Sequence, residues 1–197
     1  MISKDAHTPL EVLRDRKAET ADFRKAAREV CTGLMQDLKV LLQQHEADPK
    51  RTTFVIILRS AIALLDPALR EFPHAPVGVL GMKRDERTLV PYSYYENLPL
   101  LREQDAVVIL DPMLATGGST EAAVLRLLQR GADPEKIYFV GVIAATPGLK
   151  RLVAHIPRKN IILAAVDKKL DAHGMIVPGL GDFGDRYFGY DDGTLVI

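Results

Sequence analysis

One stretch in the middle of the chain constrains the fold more than any other, because it joins a strand, an acid, a glycine-containing loop and a helix. Residues 106–110 are all apolar and rich in β-branched side chains, which predicts a strand buried on both faces. Asp111 stands where that strand ends, and two adjacent glycines lie in the turn that follows. From Glu121 to Arg130 the apolar residues recur at helical spacing, and Gly131 predicts the C-terminus of this helix.

The loop after Asp111 has the composition of a phosphate-binding site. Gly117 and Gly118 let the backbone approach an anion closely, and the N–H groups at the start of the next helix favour negative charge. Thr116 and Ser119 add hydroxyl donors. The loop has neither the GxxxxGK[ST] pattern nor the GxGxxG pattern. The alternative is a tight strand-to-helix turn in which Ser119 is the N-cap.

Composition excludes several classes of function. The net charge of zero disfavours non-specific binding to nucleic acid, in which neutralisation of phosphates dominates the affinity. Cys31 is the one cysteine, which excludes an internal disulfide, and its place on a helix face predicts that it is buried. No apolar run is long enough to span a bilayer, and the polar N-terminus lacks the features of a signal peptide. We therefore predict a cytoplasmic protein with no membrane partner, folded as a single domain over residues 1–197.

The rest of the chain alternates strands with helices, which predicts a parallel sheet covered by helices on both faces. Thr8 and Glu11 form a capping box for a short helix that is expected to end near Arg16. Thr20 or Asp22 is expected to cap a long second helix. Further strands are predicted at 54–58, 77–82, 137–145 and 161–166, helices at 61–70 and 148–154, and a flap without regular structure at 83–102.

The nine residues from Asp111 to Ser119 resemble the phosphoribosyl-pyrophosphate (PRPP) loop of the uracil phosphoribosyltransferase family. The resemblance implies the type I phosphoribosyltransferase fold, with a central parallel sheet flanked by helices and a C-terminal hood. It implies an enzyme that makes UMP and pyrophosphate from uracil and PRPP. It also assigns the acid to the ribose hydroxyls and the Thr-Gly-Gly-Ser end to the 5-phosphate, since carboxylates accept hydrogen bonds and backbone amides donate them. The PRPP-binding residues that it implies here are Asp111, Pro112, Met113, Leu114, Ala115, Thr116, Gly117, Gly118 and Ser119.

Two arginines follow predicted strands, and the same resemblance assigns both to PRPP. Arg59 follows the strand at 54–58 and stands at the arginine of the family's Ile-Leu-Arg-Ala-Gly loop. Arg84 follows the strand at 77–82, in a segment similar to the family's Tyr-Arg-Asp-Glu-Glu-Thr. Guanidinium groups suit the oxygens of a pyrophosphate, although each arginine considered alone could be a solvated surface residue. Arg87 replaces a glutamate of the family and inherits no role.

Residues 173–189 are similar to the family's uracil hood. There the main chain at the positions of Ile176, Gly181 and Phe183 is implied to hydrogen-bond the base, and Asp182 to lie near both the base and PRPP. A glycine-rich segment can bring its own backbone close to a base whose N–H and C=O edge resembles a peptide. The alternative is a glycine-rich surface loop without a ligand.

The implied reaction needs no side-chain nucleophile. Pyrophosphate departs, the ribose develops oxocarbenium character and a base nitrogen attacks, so catalysis depends on orientation and on stabilisation of the departing charge. The residues predicted to be catalytic are Arg59, Asp111 and Asp182. The resemblance implies Mg²⁺ bound together with PRPP, and the sequence contains no dedicated metal site. It also divides the domain into N-terminal helices at 1–45 and a hood and tail at 167–197.

Departures from the family pattern leave other functions open. Ser60 and Ala61 replace an Ala-Gly pair, Met175 replaces a tyrosine and Lys83 replaces another. The segment 45–51 is too short for the β-arm that helps the family to form its dimer, so a homo-oligomer is expected to have a different or weaker interface. The alternatives are a non-catalytic homologue that binds PRPP or UMP, an RNA-binding regulator of pyrimidine genes, and activity on another base.

Overall fold

A computed structural model describes residues 8–84 and 91–190, and it confirms the predicted α/β class, with helices on both faces of a mostly parallel sheet. The strands are β1 (Thr52–Leu58), β2 (Val77–Arg84), β3 (Pro91–Asn97), β4 (Ala106–Leu110), β5 (Met113–Leu114), β6 (Ile137–Ala145), β7 (Ile161–Asp167), β8 (Lys169–Leu170) and β9 (Ile176–Val177). The α-helices are α1 (Pro9–Arg14), α2 (Thr20–Gln44), α3 (Ile62–Glu71), α4 (Gly118–Gln129), α5 (Thr146–Leu152) and α6 (Phe183–Phe188).

The sheet has the order β3-β2-β1-β4-β6-β7, and β5 continues beyond β4 along the same side of β6. All neighbouring pairs are parallel except β2 with β3. In the register, Ile56 of β1 lies opposite both Val79 of β2 and Leu110 of β4. The C-terminal ends of the parallel strands therefore meet at one edge, which is where open α/β sheets bind their ligands.

The sheet separates two layers of apolar core. On one face the buried side chains of α2 and α3 pack against the sheet, and on the other those of α4 and α5 do so. Every residue of β6 is buried, as expected for a strand covered on both faces. Cys31 of α2 is buried as predicted, and burial raises the pKa of its thiol to about 12. Within the described ranges, no helix combines the length and apolar character that crossing a bilayer requires.

The prediction of a flap without regular structure at 83–102 is wrong at 83–84 and at 91–97, which are strand. Lys83 and Arg84 extend β2, and Pro91–Asn97 forms β3, an antiparallel edge strand. The pairing contains an irregularity after Gly81, and the ring of Tyr94 packs where a Cβ on that glycine would stand. The bulge breaks the two-residue alternation that marks a strand in a sequence, which is why no strand was predicted. Residues 85–90, with Arg87, lie outside the described part of the chain.

Several helix ends differ from the prediction. The capping box at Thr8 is present as predicted, but α1 stops at Arg14. The predicted cap of α2 is wrong, because Glu19 is its N-cap residue and makes no side-chain cap hydrogen bond. The helix α3 continues through the buried Pro67 to Glu71.

Candidate active site

The end of β4 places Asp111 at the ligand edge of the sheet. The Asp111 residue is only 7% exposed, and its Oδ1 accepts a hydrogen bond from the N–H of Met113 at 3.3 Å. The carbonyl oxygen of Pro112 accepts from the N–H groups of Val142 and Ile143 of β6 at 3.1 and 3.0 Å. Through these bonds the chain rejoins the sheet as β5. The backbone that carries the Asp111 carboxylate is therefore fixed by β4 on one side and by β5 on the other.

Two glycines outside the loop allow it to lie this close to its neighbours. A Cβ on Gly141 of β6 would stand 2.7 Å from the carbonyl oxygen of Asp111. A Cβ on Gly148 of α5 would collide with the carbonyl oxygen of Ala115. Gly117 has a φ of +80°, a conformation that favours glycine. Sequence reasoning missed the roles of Gly141 and Gly148, since both act on residues more than 25 positions away.

The loop ends at the N-terminus of α4, whose N-cap residue is Gly117. Ser119 lies inside the first turn, so the alternative in which it is the N-cap is wrong. The hydroxyl oxygen of Thr116 accepts from the N–H of Gly118 at 3.5 Å. The first N–H groups of a helix have no partner within it and stand at the positive end of its dipole. The arrangement of backbone and hydroxyl groups suits a phosphate.

The hood is tied to the rest of the molecule through Asp167 at the end of β7. Its carboxylate accepts two hydrogen bonds from Arg14 of α1, at 2.9 and 2.8 Å, and a third from the N–H of Gly179 at 2.8 Å. Arg14 also donates to the carbonyl oxygen of Gly179 at 3.0 Å. The hydrogen bond from Arg14 lowers the pKa of Asp167, an effect that burial opposes. Sequence reasoning missed this anchor, and no local pattern indicates it.

Arg186 of α6 provides a second attachment between the hood and α1. It is 2% exposed, and its guanidinium donates to the carbonyl oxygens of Leu13 at 2.5 Å, Leu180 at 2.7 Å and Asp15 at 2.6 Å. The same group lies 4.2 Å from the centre of the Phe23 ring. A buried guanidinium with several acceptors determines where α6 sits against α1 and α2. This arginine was not among the predicted site residues.

A cavity of about 310 Å³ opens between the end of β1, the loop after β4 and the hood. Two residues at which the chain departs from the family pattern, Ser60 and Met175, line it. The predicted site residues that it brings together are Asp111, Met113, Ala115, Ser119, Ile176, Asp182 and Phe183. A larger groove of about 800 Å³ lies between α1 and α2, but five acidic and three basic side chains line it, which does not suit a polyphosphate.

Other predicted site residues do not line this cavity. Leu114 is fully buried in the core, and Gly181 packs against the side chains of Arg16 and Arg186. Arg84 is the last residue of β2, and the structure describes only its backbone. Five further predicted site residues also do not line the cavity, namely Arg59, Pro112, Thr116, Gly117 and Gly118.

The two carboxylates of the cavity differ in their surroundings. Asp111 is buried, whereas Asp182 is exposed and caps α6 by accepting from the N–H of Asp185 at 2.9 Å. In the described ranges no three His, Cys, Asp or Glu side chains are grouped so that they could hold a metal ion. One or two carboxylates together with substrate phosphates are nevertheless the usual setting for Mg²⁺ in phosphate chemistry. The donor set therefore fits a cation that arrives with a phosphorylated ligand.

Comparisons with known proteins agree with this geometry. The sequence profile of the uracil phosphoribosyltransferase family matches residues 36–190. Proteins named uracil phosphoribosyltransferase from Roseiflexus sp. and from Lactococcus lactis subsp. lactis are 42% and 41% identical to this chain, over 91% of it and 92% of each relative. The solved structure of the AQ2163 protein from Aquifex aeolicus is 35% identical, with a TM-score of 0.80 over 91% of this chain and 92% of that one. The APRTase from Giardia lamblia shares the fold, at 16% identity and a TM-score of 0.52 over 80% of this chain and 83% of its own.

The matches confirm the resemblance that the loop and the hood indicated, and they extend over nearly the whole chain. The chain therefore belongs to the uracil phosphoribosyltransferase family.

Proposed function

We propose that this protein transfers the phosphoribosyl group of PRPP to uracil and forms UMP and pyrophosphate. The observation that carries the proposal is the meeting of the β4 loop, with Asp111, and the hood, with Ile176 and Phe183, at one cavity of about 310 Å³. Membership of the family, at about 40% identity over 91% of the chain, supports the same reaction.

The sugar phosphate would be held by the backbone at the start of α4. The N–H groups of Gly118 and Ser119 stand at the positive end of that helix, where an anion is stabilised by hydrogen bonds and by the dipole. Asp111 would accept hydrogen bonds from the ribose hydroxyls, and the N–H of Met113 keeps one of its oxygens in place. The anomeric carbon would then lie between the loop and the hood.

The hood would recognise the base. Ile176 and Phe183 line the cavity, and both belong to the segment whose main chain is proposed to bind uracil. Asp167 and Arg186 hold this segment in place through bonds to the backbone of Gly179 and Leu180, so its backbone groups are oriented before the base arrives. The hood also limits access of water, which would otherwise compete with the base as nucleophile.

The departing pyrophosphate needs positive charge. We propose that Mg²⁺ enters as part of the Mg–PRPP substrate, where it would neutralise charge on the diphosphate, and that Asp111 and Asp182, the carboxylates that line the cavity, would help to hold it. Arg59 and Arg84 are proposed to bind the same diphosphate, because guanidinium groups donate paired hydrogen bonds to phosphate oxygens. Each of these groups acts by orientation and electrostatics, without a covalent intermediate.

The reaction can be tested with the purified protein, Mg–PRPP and each nucleobase in turn. Formation of UMP and pyrophosphate with uracil supports the proposal. Turnover of a different base in place of uracil would mean that this other base is the substrate. Tight binding of UMP without turnover of any base would instead support a non-catalytic homologue. Salt-sensitive binding to RNA without turnover would support a regulator.

We also propose that the protein acts in the cytoplasm as a homo-oligomer and folds as one domain, with helices at 1–45 and the hood and tail at 167–197. PRPP carries several negative charges and does not cross a bilayer unaided, which supports an intracellular site of action. Sedimentation equilibrium at several concentrations tests the oligomeric state, and a monomer at every concentration would contradict it.

A further inference from the structure

The side chain of Arg59 packs on the hood and does not line the cavity. Its Nη2 lies 3.3 Å from Oδ1 of Asp185. The carbon of its guanidinium lies 5.8 Å from the centre of the Phe188 ring and 5.6 Å from that of the Tyr190 ring. All of these partners lie in α6 or within two residues of its end, so one short segment holds the guanidinium.

These contacts are weak enough for the Arg59 guanidinium to exchange them for another partner. The Arg59 side chain is 53% exposed and that of Asp185 is 36% exposed. Exposed ion pairs and exposed cation–π contacts are individually weak, because water competes for both partners. A diphosphate offers the same guanidinium several charged oxygens and paired hydrogen bonds, which form a stronger interaction.

The helix α6 also touches the cavity itself. Asp182 lines the cavity and accepts from the N–H of Asp185, the residue that pairs with Arg59. A Cβ on Gly184 would lie 3.7 Å from the Cβ of Ser60, which follows Arg59 and lines the cavity. The segment that holds Arg59 is thus continuous with the proposed base-binding wall.

We propose that Asp185 is a positioning residue that holds the Arg59 guanidinium on the hood, so that the hood and the diphosphate of the ligand compete for it. The inference rests on the proposed function only in taking the ligand to be a diphosphate. Because the two partners compete, loss of the Asp185 charge strengthens binding of the diphosphate and leaves binding of uracil unaffected.

The first test is calorimetric binding of Mg–PRPP, without uracil, to the wild-type protein and to Asp185→Asn. Asp185→Asn is expected to bind more tightly by about 1.4-fold to 5-fold, the range that an exposed ion pair represents. Asp185→Glu restores the carboxylate and is expected to return the affinity towards the wild-type value. In steady-state kinetics the KM for PRPP falls by the same factor, whereas the KM for uracil does not.

A matched control removes a comparable ion pair whose two residues do not line the cavity. Asp66 and Arg70 form an exposed pair at 2.9 Å on α3. Asp66→Asn is expected to leave the affinity for Mg–PRPP unchanged. A change as large as that of Asp185→Asn would mean that the net charge of the protein is responsible, and it would overturn the proposal.

The second test separates the pairing from a general effect of charge. In an Arg59→Gln background, replacement of Asp185 by Asn is expected to have no effect on the affinity for Mg–PRPP. Persistence of the tighter binding in that background would overturn the proposal, as would weaker binding by Asp185→Asn alone.

Should Asp185→Asn fail to fold, Tyr190→Leu removes one ring contact and is expected to tighten binding in the same way; unchanged or weaker binding there overturns the proposal. Turnover of uracil by the wild-type protein tests the proposed function independently of all these results.

Discussion

Replacement of Gly148 by alanine tests whether the proposed phosphate loop depends on its close packing against α5. The added Cβ would stand 2.7 Å from the carbonyl oxygen of Leu114 and would collide with that of Ala115. Both obstacles are backbone atoms, so no side chain can rotate away. Either the loop or the start of α5 must move.

The magnitude follows from two opposing terms. Alanine favours a helix over glycine by about 0.5 to 1 kcal/mol. Overpacking at a buried site costs about 1 to 3 kcal/mol, so the Gly148→Ala protein is expected to be less stable overall, by up to about 2.5 kcal/mol. A displacement of about 1 Å in a loop that positions a substrate can lower the rate about 100-fold, so we expect kcat/KM for PRPP to fall by about 10-fold to 100-fold.

Urea denaturation and steady-state kinetics measure the two effects, and α2 supplies a matched control. Gly33 lies within that helix, and a Cβ there would have no neighbour within 4 Å. Gly33→Ala is therefore expected to stabilise the protein by about 0.5 to 1 kcal/mol and to leave the kinetics unchanged. Wild-type kinetics in Gly148→Ala, together with stabilisation like that of Gly33→Ala, would refute the reasoning.

Other residues of the site and its supports give further expectations. Asp111→Asn removes the charge that is proposed to accept hydrogen bonds from the ribose hydroxyls, so kcat/KM should fall by about 10-fold to 150-fold with little change in stability. Unchanged kinetics would contradict the role proposed for Asp111. Asp167→Asn weakens the bonds from Arg14 and should lower the free energy of unfolding by about 1.5 to 3 kcal/mol at neutral pH. The folded pKa of Asp167 is lowered, so its contribution to the free energy of unfolding is fully present above its unfolded pKa of about 3.9 and is lost as the pH falls through the folded pKa. The urea curves of the wild-type and Asp167→Asn proteins should therefore converge in acid. Arg186→Met leaves three carbonyl oxygens without this donor and should cost at least about 3 kcal/mol, which thermal or urea unfolding would measure.

The strands and helices with strong periodicity were predictable because their signals are local. Buried runs such as 106–110 and 137–145 are continuous apolar segments, and both form strands. The edge strand β3 was missed because its tyrosines are about half exposed and a bulge interrupts its pairing. The helix α6 has six residues, too few for a helical period, although Asp182 followed by Asp185 three positions later is a capping signal that could have indicated it.

The chemistry of the candidate site was readable from the sequence only where its residues are contiguous. The strand, Asp111, the two glycines and the following helix occupy consecutive positions, so their types and order alone predicted an anion site at a strand end. Tertiary structure decided the rest, because its partners are far apart in the chain. Arg14 meets Asp167 across 153 positions, and Arg59 meets Asp185 across 126. Contacts of that kind arise from the packing of the hood against α1 and β1, and no local pattern of residues encodes which side chains that packing brings together.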